Sequence, residues 1–208
     1  MNGSRKWGSY MRKFGDVLDE LRWDDHRYYH HSLVNQSLHL LSASTFVCAY
    51  VLAFKDPAMA SLLAWTVAMT SRQAGHFFFE PKGYDDVNQA THAYKEEVKV
   101  GYNLFRKSVF MTIWALTPLL LWASPTLFGV FAPNPGAMSF VRHLGLLWLG
   151  LGLAGLVFRT VQLVFVRDPM IAVAWAAKIV TDPFHDIKLY HKAPLLLLRG
   201  ERFAHAAP

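Results

Sequence analysis

Four apolar stretches dominate this chain: Ser37 to Phe54, Ala58 to Phe79, Ser108 to Phe131 and Phe140 to Val166. Each approaches or exceeds the roughly 20 helical residues needed to cross about 30 Å of hydrocarbon. In lipid a spanning segment must satisfy its own backbone N–H and C=O groups, so such stretches fold as helices. The breaks between them are chemically explicit. Lys55-Asp56-Pro57 places a proline at the start of a helix, and "APNPG" (132–136) is a cluster of helix breakers. The pattern predicts an all-α polytopic membrane protein with about four transmembrane helices in two hairpins. Composition agrees, because 53% of the 208 residues are hydrophobic and only 17% charged, which is apolar for a soluble domain.

The charges sort by segment. Arg5, Lys6, Arg12, Lys13, Arg22 and Arg27 precede the first apolar stretch, and Lys82, Lys95, Lys99, Arg106 and Lys107 fall between the second and third. Arg167, Lys178, Lys188, Lys192, Arg199 and Arg202 follow the fourth, whereas the two short turns hold only Lys55. The positive-inside rule then predicts both termini and the 80–107 loop on the cytoplasmic side. Three parts follow: an interfacial N-terminal segment (1–36), a four-span membrane domain (37–166) and an interfacial C-terminal segment (167–208). "SYMRKFGDVLDELRW" sets Tyr10, Phe14, Val17, Leu18 and Leu21 at helical spacing, as a bilayer-surface helix requires. "DPMIAVAWAAKIVTD" and "APLLLLRGE" are read the same way.

The net charge of +6 forms no dense basic patch with interleaved aromatics, so the expected partner is the lipid bilayer and not nucleic acid. The N-terminus lacks the apolar core of a cleavable signal peptide, and the reading leans to a bacterial inner membrane over the endoplasmic reticulum. Cys48, the single cysteine, lies in an apolar run with no partner for a disulfide or a CxxC site.

Against this background "RQAGHFFFE" (72–80) is anomalous, since it closes a spanning segment with Arg72, Gln73, His76 and Glu80. Charged groups in a membrane cost roughly 2.5 kcal/mol or more each on insertion scales, so clustered ones are paired or functional. His76 and Glu80 are four apart and share a helical face. "YYHHSLVNQSLH" (28–39) opens the first span, with His31, Asn35 and His39 along one ridge and His30 beside it. The predicted hairpin brings both groups to one depth. Imidazoles with a carboxylate suit ferrous iron and also zinc, and Gly75 permits close approach of a neighbour. His92, His185 and His191 are further candidate contributors, whereas His26, His143 and His205 read as simple hydrogen-bonded histidines. Arg72 is expected either to reach headgroups or to pair with Glu80, and Phe77 to Phe79 to pack or face lipid.

"YHHSLVN...H" with Tyr29, His30, Asn35 and His39, followed by Gln73, Gly75, His76 and Glu80, resembles the membrane 2-hydroxy fatty acid dioxygenase family. The resemblance covers about residues 27–81. It favours His30 over His31 as the first ligand, since the family's histidine lies five before the asparagine. Leu33 replaces the usual proline, and nothing from about Asn134 onward has a counterpart. The resemblance implies Fe2+ held by His30, His39 and His76, with Glu80 as ligand or orienting acceptor and Gln73 and Asn35 completing the catalytic set. It further implies a 2-hydroxy fatty acid whose carboxylate meets Arg72 or Lys82, and O2 as co-substrate, shortening the chain by one carbon. Two other classes fit the same residues: a bis-histidine haem protein ligated by His39 and His76, and a lipid-binding scaffold in which the cluster only packs helices.

Overall fold

Helix starts follow the capping residues written in the sequence. Asp56 accepts from the Met59 N–H at 3.2 Å ahead of Pro57, Asn103 accepts from Arg106 N–H at 3.0 Å, and Asp168 accepts from Met170 N–H at 2.7 Å ahead of Pro169. Each satisfies an N–H that the first helical turn leaves without an internal partner. The computed structural model describes residues 13–80, 82–133 and 136–204. Arg5, Lys6, Tyr10, Arg12 and His205 lie outside the described residues.

All described elements are helical: α1 (Phe14–Tyr29), α2 (Leu33–Ala53), α3 (Pro57–Leu63), α4 (Thr70–Ala74), α5 (His92–Val98), α6 (Leu104–Ala123), α7 (Ala137–Val166), α8 (Pro169–Tyr190) and α9 (Ala193–Leu198). Three of them, α2, α6 and α7, are long and apolar enough to cross a membrane. The second apolar stretch is also helical from Pro57 to Phe79, but two π-wound turns, Ala64–Met69 and Gly75–Phe79, divide it. Such turns are rare and concentrate at functional sites.

An indole cluster ties α6 and α7 to this segment. Trp65 Nε1–H donates to Trp148 O at 2.9 Å, and Trp148 Nε1–H donates to Thr117 Oγ1 at 2.7 Å. Pro118 removes one donor from the α6 ladder, and the Thr117 hydroxyl donates instead to Trp114 O at 2.6 Å. Gly145 lets α7 approach α3 closely, because a side chain there would fall on the Ala58 carbonyl. Arg159, buried on α7, donates to the Val100 and Gly101 carbonyls, and Tyr102 OH donates to Gly155 O at 2.7 Å. These bonds hold the 99–102 segment against α7.

Residues 169–182, expected to be a bilayer-surface helix, lie in α8, which packs against α1, α2 and α7. The physical reason is twofold. Ala172 and Ala174 present a small fully buried face, and the charges of α8 find partners on α1. Lys178 Nζ lies 2.6 Å from Asp25 and 2.5 Å from Asp182, while Arg22 reaches Asp182 at 3.3 Å. Burial pushes the Asp25 carboxyl up, but the Lys178 ammonium more than offsets it and holds Asp25 well below the usual carboxylate range. Near the C-terminus the backbone returns to the α1–α2 junction: Leu33 N–H donates to Arg202 O at 3.0 Å and Ala204 N–H to His31 O at 2.9 Å.

Candidate metal centre

Three backbone settings deliver three histidines to one place. His30 ends α1 at a break in the helix, with φ −117° and ψ 36°. Two side-chain amides fix that break: Asn35 Nδ2 donates to Tyr29 O and Gln36 Nε2 donates to His30 O, both at 2.8 Å. His39 lies in α2, and His76 in the π-turn Gly75–Phe79. Gly75 is required there, because a Cβ would clash with the Asn35 carboxamide oxygen and lie 3.4 Å from the His39 ring.

All three histidines are buried. Ring centroids are 4.1 Å apart for His30 and His39, 4.9 Å for His39 and His76, and 5.6 Å for His30 and His76. One ring nitrogen from each lies within 4.8 Å of the other two. Twice a metal–nitrogen bond of about 2.1 Å is about 4.2 Å, so small ring shifts suffice for the three to share an ion.

Two of the outer nitrogens are hydrogen-bonded and the third faces a carboxylate. His76 Nδ1–H donates to Glu80 Oε2 at 2.7 Å, His30 Nδ1 is hydrogen-bonded to Tyr190 OH at 2.8 Å, and His39 Nδ1 lies 3.8 Å from Asp186 Oδ2. His30 Nε2 and His39 Nε2 are buried with no hydrogen-bond partner. An unsatisfied buried polar atom costs about 1–3 kcal/mol, and a metal ion removes that cost by taking the imidazole lone pairs. Burial, reinforced by His39, pushes His30 well below the ordinary histidine value, so its ring is neutral, as a ligand must be. The donor set therefore fits a divalent metal, with outer groups of the kind that orient ligating histidines.

Around this core the charges are cross-paired. Glu80 Oε1 accepts from Lys99 Nζ at 3.1 Å, and Lys99 also lies 3.5 Å from the Tyr29 ring centroid. Arg72 pairs with Asp186 and donates to Ser42 Oγ at 3.4 Å. Arg72 thus binds Asp186 and not Glu80, the alternative raised by its sequence neighbourhood. Gln73 is buried with its Oε1 unpartnered, and Asn35 is fully buried against Gly75.

Other expected residues sit elsewhere. Lys82 is exposed, because the chain leaves the helix at Glu80 with ψ 130° and carries it away, whereas Lys99 and Lys107 line the cavity. His31 faces the following loop, 3.6 Å from Asp85. His191 bonds the Lys188 carbonyl, and His185 lines a small polar pocket beside the centre. Asp186 and Tyr190 were missed by reading "DPFHDIKLYH" for its histidines alone. They are four apart on α8, the spacing that flagged His76 and Glu80, and that spacing was the available signal.

The centre opens on a cavity of about 460 Å3, within the range of about 300–1,000 Å3 usual for small-molecule sites. Phe46, Trp65, Phe110 and Trp148 give it an apolar lining, and His76 and Lys107 reach it with polar groups. Comparison with protein-family models, curated proteins and solved structures gave no match for this chain.

Proposed function

We propose that this protein is a membrane metalloenzyme that oxidises a lipid at a three-histidine iron centre, with a 2-hydroxy fatty acid as substrate and loss of one carbon as the outcome. The observation that carries the reading is the convergence of His30, His39 and His76, two of them with buried unpartnered nitrogens, beside an apolar cavity. The choice of ferrous iron and of a 2-hydroxy acid rests on the motif resemblance over 27–81.

His30, His39 and His76 would hold the iron, which when bound supplies the capacity to bind and activate O2. Glu80 keeps the His76 Nδ1 proton and so fixes the tautomer that offers Nε2. Tyr190 and Asp186 orient His30 and His39 from α8. Gln73 offers the cavity an unpartnered carbonyl oxygen able to accept from a substrate hydroxyl. The aromatic walls exclude bulk water from the reacting lipid. In this reading the 57–79 rod is the fourth span, the spans pair as two hairpins, and the termini and metal centre lie at the cytoplasmic face of a bacterial inner membrane.

The haem alternative is disfavoured by geometry. His39 and His76 are 4.9 Å apart between ring centroids, with His30 4.1 Å from His39, leaving no slot for a macrocycle. The test is metal analysis of anaerobically purified wild type beside His76→Ala, followed by addition of 2-hydroxypalmitate and mass spectrometry of the product. One iron per chain, its loss in the variant and a product one carbon shorter are expected. Stoichiometric haem, or no metal in the wild type, would refute the proposal.

A further inference from the structure

A charge inventory of the cavity leaves one cation over. Asp25 and Asp182 share Lys178, Asp24 holds Arg27, and Arg72 is neutralised by Asp186. Lys99 is bound to Glu80. Lys107 lines the same cavity from the start of α6, and its ammonium makes no hydrogen bond and no ion pair among the described residues. It shares that otherwise largely apolar lining with His76. An ammonium facing an apolar cavity without an anion is costly unless a ligand supplies one.

We propose that Lys107 is the anion receptor of this cavity, binding the carboxylate of a single-chain lipid whose hydrocarbon lies along the aromatic walls. The assignment rests on reading the cavity as the substrate chamber of the proposed oxidase, but it concerns binding and does not require turnover. It moves the carboxylate contact away from Arg72, whose guanidinium already serves Asp186, and from Lys82, which is exposed. It also places the head of the lipid in the chamber that His76 lines. A charge-assisted hydrogen bond in such a setting accounts for about 10- to 100-fold in affinity.

The test measures binding of palmitate, 2-hydroxypalmitate, 1-hexadecanol and 1-palmitoyl-lysophosphatidate to the full chain in detergent, for wild type, Lys107→Met and Lys107→Arg. Thermal unfolding confirms that each variant is folded. The expected result is a 10- to 100-fold loss of both carboxylates in Lys107→Met, recovery of most of it in Lys107→Arg, and unchanged binding of the alcohol. Equal carboxylate affinity in Lys107→Met and wild type overturns the proposal. So does Lys107-dependent binding confined to the lysophosphatidate, which would make the anion a phosphate. If palmitate binding depends on Lys107 while 2-hydroxypalmitate is never oxidised, the receptor stands and the enzymatic reading falls. If 2-hydroxypalmitate is oxidised but its binding ignores Lys107, the reverse holds.

Discussion

Gly75→Ala is the smallest change that probes the centre. The added methyl would overlap the Asn35 carboxamide oxygen and come into contact with the His39 ring at 3.4 Å. Asn35 can yield only by rotating, which breaks its 2.8 Å bond from Nδ2 to Tyr29 O inside a fully buried site. Losing that bond leaves a buried donor and a buried acceptor unsatisfied, at about 1–3 kcal/mol each, against a helix-propensity gain of about 1 kcal/mol. The net expectation is a destabilisation of roughly 1–5 kcal/mol, near 3 at the centre of the range. In a domain of this size that is a fall of about 6–12 °C in Tm. Because Asn35 also fixes the break that presents His30, metal affinity falls as well, by about 10- to 100-fold. The assay is thermal unfolding in micelles with metal content measured in parallel, for Gly75→Ala, Asn35→Ala and the double variant. Removing the Asn35 carboxamide opens the space, so Gly75→Ala costs at least about 1 kcal/mol less in the Asn35→Ala background. Additive effects of the two substitutions would refute the packing account.

Tyr190→Phe removes the hydroxyl shared by His30 and His26; about a 10-fold loss of metal affinity, at a stability cost near 1 kcal/mol, is expected by metal titration and thermal unfolding, and unchanged affinity would show that Tyr190 only packs. Asp25 is held below its ordinary pKa by Lys178, so its contribution is present above about pH 4 and is lost as pH falls through the depressed value. Burial lowers Lys178, but Asp25 and Asp182 override it and raise the ammonium above its usual range, so that contribution persists below pH 10.5 and is lost only as pH rises through the higher value. The Tm gap between wild type and Asp25→Asn is therefore flat from about pH 5 to 9 and narrows at lower pH; a gap that widens in acid contradicts this. For topology, in a Cys48→Ser background, Lys55→Cys is labelled by an impermeant maleimide on intact cells and Gln89→Cys only after lysis; equal labelling of both on intact cells would overturn the cytoplasmic placement of the 80–107 loop.

How much of this was readable from residues alone depended on distance along the chain. The His76 and Glu80 pair was legible because the two are one helical turn apart, and its hydrogen bond is present at 2.7 Å. The close packing at Gly75 followed from the absence of a side chain, although its partner, Asn35, could not be named without the α2 register. Three of the expected spans emerge as uninterrupted apolar helices. The π-turns in 57–79 left no compositional trace, since they change winding and not residue type. The packing of α8 was illegible for a physical reason: Lys178, Asp182 and Asp186 are each buried against a charge more than a hundred residues away, on α1 or α4. A single sequence shows the charges and hides the pairing.

That pairing alters what the histidine cluster is. The first two apolar segments supply His39 and His76, and the helix break before them supplies His30, so the first 80 residues hold every ring. Yet two of the three rings take their outer partner from α8, Tyr190 for His30 and Asp186 for His39. Without α8, Arg72 loses its carboxylate, and a buried charge stripped of its partner costs about 3–5 kcal/mol. The ion pairs of Lys178 with Asp25 and of Arg22 with Asp182 hold α8 on α1, and Arg202 and Ala204 pair with the backbone at the α1–α2 junction beside His30. For His30 and His39 the rings and the groups beside their outer nitrogens therefore come from opposite ends of the chain. The arrangement of the three rings seen here is complete only once α8 has docked, which couples formation of the cluster to completion of the fold.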